Sequence, residues 1–271
     1  MTVKNDLPNF PLIESPLFAE HYNRGTFGDH TAVARDLHNR GYAVINIFNN
    51  SPDGMAKIDK VNEEMKSFFE SDQYREQDSW EKYNSVAEIA LEDSILDILR
   101  VSYGREPFPF QTLAFPKGTE QGFHSDAVHF SSWPHGFMCG VWTALEDISL
   151  ESGPLFYYPG THKLPYIESY HIGYEMGNGV QPTQEIYYEY WDSAIKSIES
   201  EREVFLAKKG QSLIWTANLI HGGMPVVNST LTRKSIVTHY YFEDCYYYTP
   251  MLSDVRKGNV FFRNPKRVVK K

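Results

Sequence analysis

The triplet His124-Ser125-Asp126 and the distant His221 are the residues of this chain best suited to chemistry. Two imidazoles and one carboxylate form the ligand set of a mononuclear non-haem Fe(II) site, which holds the ion from one side and leaves the opposite side open. Alternate residues of a strand point to the same side, so His124 and Asp126 can bind one ion from a single strand or strand end. The long interval before His221 is compatible with a barrel that returns several strands later.

Arg233 follows His221 after enough chain for one turn and a return strand. A guanidinium placed there can take a carboxylate in a two-pronged pair of hydrogen bonds. The triplet alone is weak evidence in a chain with ten histidines, since a surface His beside a solvated Asp gives the same pattern. Its context is more specific, because a strand-like run over 110–115 and the turn signal Pro116-Lys117-Gly118 come just before it.

A longer pattern lies downstream of the triplet. Trp142 is followed by Gly153-Pro154-Leu155 and then by the run Pro159-Gly160-Thr161-His162-Lys163. Together with the H-x-D triplet and the distal His and Arg, this pattern strongly resembles the phytanoyl-CoA dioxygenase (PhyH-like) family over about residues 105 to 243. The resemblance implies a mainly β fold with flanking helices, built on a double-stranded β-helix (jelly-roll, cupin-like) barrel. It also implies Fe(II) as cofactor, with 2-oxoglutarate and O₂ as co-substrates.

The family's site residues can be carried over position by position. Those that match the iron ligands are His124, Asp126 and His221. The resemblance implies that Arg233 holds the distal carboxylate of 2-oxoglutarate and that Trp142 lines the co-substrate pocket. Relatives often carry a hydroxyl two residues after the distal His, where this chain has Gly223. Arg233 is therefore expected to depend on another polar neighbour, and Gln111 is the candidate.

The resemblance implies hydroxylation of a small-molecule C–H bond with release of succinate and CO₂. Halogenases of related architecture replace the carboxylate ligand with a small residue, and Asp126 keeps it, which favours hydroxylation over halogenation. Desaturation, epoxidation and ring closure stay open, as does the identity of the substrate. Two other classes also remain: another metalloenzyme on a cupin-like barrel, such as a Zn or Mn hydrolase or isomerase, and a non-enzymatic barrel that binds a sugar or another small ligand.

Composition limits the other functions. The 271 residues suit a single domain over 1–271, and 41% of them are hydrophobic. A formal net charge of −9 disfavours nucleic acid as a partner. No apolar run approaches the roughly 18 residues of a membrane span, and the first residues lack the order of a signal peptide. Cys139 and Cys245 are expected to be free thiols, and a cytoplasmic location is predicted. The oligomeric state cannot be read from the sequence.

The elements that must position the site fall into two parts. Residues from about 29 to 104 are predicted to form a helical support, and the barrel is predicted from about 105 to 243. The predicted helices are 30–40 with Asp29 as N-cap and Gly41 as the stop, 53–69 with Asp53 as N-cap, and 86–101 with Gly104 after it.

An insertion over about 166–200 is predicted to interrupt the barrel. It contains Gly173, Gly177 and Gly179 and then an aromatic helical stretch over 184–198. The helix either packs on the barrel rim or acts as a lid over the open side of the metal. The other histidines are expected to be structural or surface groups, with His129 as the best exception; they are His129, His135, His162, His171 and His239.

Overall fold

The computed structural model describes residues 5–174 and 182–271. Gly177 and Gly179 of the predicted insertion lie outside the described residues. The helices are α1 Phe18–Asn23, α2 Thr31–Arg40, α3 Pro52–Glu64, α4 Lys66–Phe69, α5 Asn84–Ala90, α6 Asp93–Tyr103 and α7 Tyr188–Ser197. The strands are β1 Tyr42–Ile45, β2 Glu76–Gln77, β3 Pro107–Phe115, β4 Ser131–Trp133, β5 Met138–Ala144, β6 Leu155–Tyr157, β7 Glu203–Phe205, β8 Ser212–Thr216, β9 His221–Gly223, β10 Ser235–Phe242 and β11 Tyr246–Tyr248.

Two antiparallel sheets enclose the site. The larger has the strand order β1-β8-β5-β10-β3-β2, and the smaller has the order β7-β6-β9. A separate pair, β11-β4, lies beside them. Most neighbours in these sheets, such as β8 and β5 or β10 and β3, are not consecutive strands of the chain, which is typical of a jelly roll. The prediction of a mainly β, jelly-roll fold with flanking helices is confirmed.

Strand alternation gives the large sheet two different faces. On β10, Ile236 and Tyr240 belong to the core that includes the helices, whereas Val237 and His239 line the cavity between the sheets. A register shift between His239 and Tyr240 adds a bulge to the pairing with β3. On β5, Val141 joins the helix-side core and Trp142 turns to the cavity. The helices therefore stabilise the back of the sheet and leave its front free for chemistry.

The predicted helix starts need correction. The N-cap of α3 is Ser51, whose Oγ accepts a hydrogen bond from the backbone N of Gly54, and Pro52 takes the first helical position. Asp53 is thus one residue inside the helix. The residue that caps the start of α2 is His30 and not Asp29, which lies in the 3₁₀ turn before it.

The third predicted helix, 86–101, is two helices, α5 and α6. Glu92 between them has extended backbone angles, and its carboxylate binds Lys57 of α3 at 3.0 Å. The predicted stops are correct, since Gly41 and Gly104 both take the left-handed conformation that glycine adopts without strain.

The predicted helical support also contributes strands. β1 pairs with β8, and β2 pairs with β3, so both edges of the large sheet come from before residue 105. β11 lies past residue 243. These pairings join the support to the barrel, while the assignment of 1–271 to one domain stays a prediction. Within the described part of the chain, no helix is both long and apolar enough to cross a membrane.

Candidate metal centre

The two predicted imidazole ligands are joined through their backbones. His221 begins β9, and His124 pairs with it in an isolated antiparallel bridge. The backbone N of His124 donates to the carbonyl of His221 at 2.8 Å, and the reverse bond measures 2.9 Å. Asp126 does not continue the strand, because it starts a 3₁₀ turn over Asp126–Val128. The hydroxyl of Ser125 caps that turn and also donates to the carbonyl of Ala217.

This arrangement brings the three side chains together as a His–Asp–His triad of His124, Asp126 and His221. One donor atom from each residue lies within 4.8 Å of the others, and all three residues are buried. The Nδ1 atoms of His124 and His221 are each 3.0 Å from a backbone carbonyl, those of Gly122 and Leu219. A carbonyl only accepts, so Nδ1 carries the proton and Nε2 presents its lone pair. The triad therefore fits a divalent metal ion in donor type, spacing and tautomer.

The third donor of the triad is held by an indole. Trp215 Nε1 donates a buried hydrogen bond of 2.8 Å to Oδ2 of Asp126. The Trp215 ring lies over Gly140 of the neighbouring strand, where an added Cβ would come within 2.3 Å of ring carbons. The indole of Trp215 can therefore lie here only because residue 140 is glycine. Oδ1 of Asp126 remains on the His124 side, 3.6 Å from Nε2.

The protonation states of His124 and Asp126 suit metal binding. Burial and the neighbouring His221 lower the pKa of His124 to about 4, so this imidazole is neutral near pH 7. Burial alone would raise the pKa of Asp126, but the surrounding histidines outweigh it and hold that pKa well below its usual value. Neutral imidazoles and an ionised carboxylate are the forms that bind metal ions.

A third imidazole lies beside the triad. His239 was expected to be a structural or surface group, yet it is buried and lines the cavity, with Nε2 3.5 Å from Oδ2 of Asp126. Its Nδ1 lies 2.9 Å from Oε1 of Gln111. Gln111 was the candidate neighbour of Arg233, and the structure places its side-chain oxygen on His239 instead. Register explains this contact, because Gln111 of β3 is directly opposite His239 of β10.

Arg233 occupies the same cavity as the triad, just before β10. Its side chain is 1% exposed, and its Nε and Nη1 have no hydrogen-bond partner among the described residues. The guanidinium lies 5.8 Å from the ring of Trp142 and 6.0 Å from that of Phe115. Burial lowers its pKa to about 10, which still leaves it charged. A buried cation with unused donors is costly unless an anion completes it, so this end of the cavity is suited to a carboxylate.

The cavity has a volume of about 350 Å³ and runs between the two sheets. Residues from both sheets line it, together with residues from the insertion and from the turn after β3. They include Thr119, Trp142, Gln184, Trp215, Gly223 and His239. Gln184 of the insertion lies 3.2 Å from Nε2 of His129 and donates to the hydroxyl of Tyr188. His129, the expected exception among the other histidines, thus lines the cavity beside the triad, while His135, His162 and His171 do not line it.

Three residues of the site were missed by sequence reasoning. Trp215 and His239 face the cavity by strand alternation, a signal visible in the sequence once β8 and β10 are placed. Gln184 reaches the site only because the insertion folds back over His129, and no local pattern gives that contact.

A jelly roll with a buried His–Asp–His triad and an unpaired arginine in one cavity defines a non-haem metal site joined to an anion site. Residues 53–235 match the family described as Phytanoyl-CoA dioxygenase (PhyH). That match covers most of the chain, and the protein belongs to this family, as the sequence predicted.

Two curated relatives carry the same family description, and a solved structure has a similar fold. A probable phytanoyl-CoA dioxygenase of Caenorhabditis elegans is 32% identical over 127 residues, which is 45% of this chain and 36% of the relative. The peroxisomal phytanoyl-CoA dioxygenase of Homo sapiens is 28% identical over 141 residues, 48% of this chain and 36% of the relative. Both alignments thus span about a third of the relative's length. The epimerase SnoN from nogalamycin biosynthesis has a similar fold, with a TM-score of 0.60, 15% identity, and coverage of 89% of this chain and 95% of that one.

Proposed function

We propose that this protein is an Fe(II)- and 2-oxoglutarate-dependent dioxygenase that hydroxylates a C–H bond of a small molecule and releases succinate and CO₂. The observation that carries the proposal is the presence of the His–Asp–His triad and the unpaired Arg233 in one cavity of about 350 Å³. A metal site alone would suit many reactions, whereas a metal site with a buried cation beside it suits an anionic co-substrate that also reaches the metal.

The side chains that line the cavity have separate roles in this reaction. The triad would hold iron, and Arg233 would pair with the distal carboxylate of 2-oxoglutarate. Fe(II) bound there would supply open coordination positions at which 2-oxoglutarate and O₂ react to oxidise a C–H bond. Trp142 shapes the wall beside Arg233, and the buried aromatic rings around both exclude water from the charged contact.

Hydroxylation is the proposed outcome because Asp126 fills the third protein-ligand position, which leaves no place there for a halide. A related fold supports the cofactors proposed: SnoN was crystallised with Fe³⁺ and alpha-ketoglutarate. SnoN is named an epimerase, so the fold is compatible with more than one outcome of C–H oxidation.

The test is reconstitution of the purified protein with Fe(II) under anaerobic conditions, followed by titration with 2-oxoglutarate. We expect a metal-to-ligand charge-transfer band, and succinate release on admission of O₂ with the correct substrate. His124→Ala is the matched control and should give neither signal. Turnover with Zn(II) or Mn(II) and without 2-oxoglutarate would instead assign another metalloenzyme, and ligand binding without any metal would assign a binding protein.

We also propose a small-molecule substrate rather than nucleic acid, in view of the net charge of −9. The cytoplasm is the proposed compartment, because Cys139 and Cys245 are free thiols that suit a reducing environment. The human relative is named peroxisomal, so microscopy of the tagged protein is the deciding measurement.

A further inference from the structure

A hydroxyl occupies the space beside Gly223 that a side chain at that position would fill. A Cβ built on Gly223 would lie 2.8 Å from Oγ1 of Thr119. Thr119 belongs to the turn after β3, and both residues line the cavity that holds Arg233. Relatives often carry a hydroxyl two residues after the distal His, and this chain has Gly223 there. The lack of a side chain at Gly223 is thus what allows the hydroxyl of Thr119 to lie at this wall.

The turn that carries Thr119 is fixed to β9 and to the Arg233 end of the cavity. The backbone N of Gly223 donates to the carbonyl of Gln121 at 2.9 Å, and the backbone N of Arg233 donates to that of Pro116 at 3.0 Å. The hydroxyl of Tyr74 donates to the carbonyl of Thr119 at 3.0 Å. Tyr74 also acts electrostatically on Arg233 and packs edge-on against Phe115. Thr119 and Arg233 are therefore held at the same end of the cavity.

The hydroxyl of Thr119 still has a proton to give. Its oxygen is 3.5 Å from the backbone N of Gln121, which donates to it. Among the described residues, no protein acceptor takes the hydroxyl proton. The side chain is half-buried, so the hydroxyl can meet a ligand in the cavity. A free O–H donor and a guanidinium with two unpartnered nitrogens, Nε and Nη1, together make a donor set for one carboxylate.

We propose that the Thr119 hydroxyl is a second anchor for the distal carboxylate of 2-oxoglutarate, acting with Arg233 in place of a side chain at Gly223. This assignment rests on the proposed function and extends it to a residue outside the family's usual position. It makes Thr119 and Gly223 a dependent pair, because any side chain added at position 223 would displace the hydroxyl. It also gives Arg233 the polar neighbour that Gln111 does not provide.

The test is calorimetric titration of 2-oxoglutarate into the anaerobic Fe(II) protein, with Thr119→Val and Thr119→Ser compared to wild type. Valine keeps the shape and removes the donor, so we expect the Kd for 2-oxoglutarate to rise about tenfold, the scale of one hydrogen bond to a charged group. Serine keeps the donor and should stay within twofold of wild type. Fe(II) affinity and Tm should be unchanged in both variants. Thr230→Val, at an exposed turn outside the cavity, is the matched control.

The outcomes separate this assignment from the proposed function. If wild type binds 2-oxoglutarate and Thr119→Val binds it within twofold, the Thr119 anchor is wrong and the dioxygenase proposal stands. If wild type binds Fe(II) but no 2-oxoglutarate, both are wrong. A large loss in Thr119→Val that Thr119→Ser does not recover would also overturn the assignment, since it would indicate a packing effect instead of a lost donor.

Discussion

Trp215 and Asp126 form one buried unit: the indole Nε1 donates to Oδ2 of the carboxylate at 2.8 Å. This contact fixes the plane of the carboxylate and leaves Oδ1 facing His124. Partners of this kind orient a metal ligand without touching the metal, and their loss typically costs roughly 10- to 100-fold in metal affinity. Trp215 is thus expected to matter for the metal although it is not one of its ligands.

Trp215→Phe should weaken Fe(II) binding by about 10- to 100-fold, because the ring is kept and the donor is lost. The measurement is a competition titration of Fe(II) with a chelator. Trp142→Phe is the matched control, since the Nε1 of Trp142 has no hydrogen-bond partner among the described residues. Equal Fe(II) affinity in Trp215→Phe and Trp142→Phe would show that the indole does not orient Asp126.

Replacing any member of the His–Asp–His triad with Ala should abolish turnover and strip the protein of iron during gel filtration. The physical reason is that two remaining ligands cannot hold an ion that needs three from the protein. His239→Ala is the control, because His239 lies beside Asp126 but outside the triad. We expect it to keep its iron. Normal metal content in His221→Ala would remove that residue from the ligand set.

Arg233→Met should weaken 2-oxoglutarate binding by about 2–5 kcal/mol, the loss of a charge-assisted contact that leaves a carboxylate unpaired. Iron affinity should not change. The same variant should raise the Tm of the co-substrate-free protein, because it removes a buried charge with unused donors. Thermal melts with and without 2-oxoglutarate measure both effects. A 2-oxoglutarate affinity within twofold of wild type would exclude Arg233 as the anchor.

The insertion over 166–200 is predicted to close over bound substrate. Tyr187 and Trp191 are fully buried in a cluster with Ile220, the residue before His221 of the triad, so their replacement by Ala should destabilise the fold by about 3–5 kcal/mol. Gln184 is the better probe, because it reaches His129 at the cavity without belonging to that cluster. Gln184→Ala should uncouple 2-oxoglutarate consumption from substrate oxidation, measured as the ratio of succinate to product.

Limited proteolysis tests the same segment independently. The insertion should be cut faster than the barrel in the metal-free protein and should become protected once Fe(II), 2-oxoglutarate and substrate are bound. Equal cleavage in both states, with full coupling in Gln184→Ala, would mean that the helix is rim packing and no lid.

Glu14, which lies outside the metal site, should make the stability of the protein depend on pH. It lies half-buried beside the hydroxyl of Tyr166, and burial raises its pKa from 4.5 to about 8. The folded protein therefore favours the protonated acid, so this contribution to stability is full below pH 4.5 and is lost as the pH rises through about 8. Glu14→Gln, which stays neutral, should flatten the fall in Tm over that interval. An unchanged Tm-against-pH profile would assign the fall to other groups.

The sequence predicts the parts of this fold that depend on local order. Gly41 and Gly104 mark helix ends because their backbone conformation is set by neighbours in the chain. The division at Glu92 could not be predicted, since it involves Lys57 of another helix. The start of α3 could have been predicted from the sequence, because Ser51-Pro52 is a stronger helix-start signal than Asp53.

The same division holds at the site. The spacing of His124 and Asp126 indicates a shared metal, since both residues lie within one short segment. Trp215 is 89 residues from Asp126 in the chain, and the backbone bond from Ala127 to Ala217, just after β8, brings the two segments together. Gln111 faces His239 instead of Arg233 for a similar reason: strand register decides it, and register depends on partners that a single strand does not reveal.

The mutual backbone bonds of His124 and His221 have a consequence for how the centre fills. Each imidazole is held in register by the other's main chain and by its own carbonyl contact at Nδ1. Folding of the barrel therefore already orders these two ligands, so metal binding does not have to pay that conformational entropy again. The metal site is thus formed before iron binds. We expect the backbone conformation around His124 and His221 to be the same with and without the metal, with nearly identical amide hydrogen-exchange rates at these two residues.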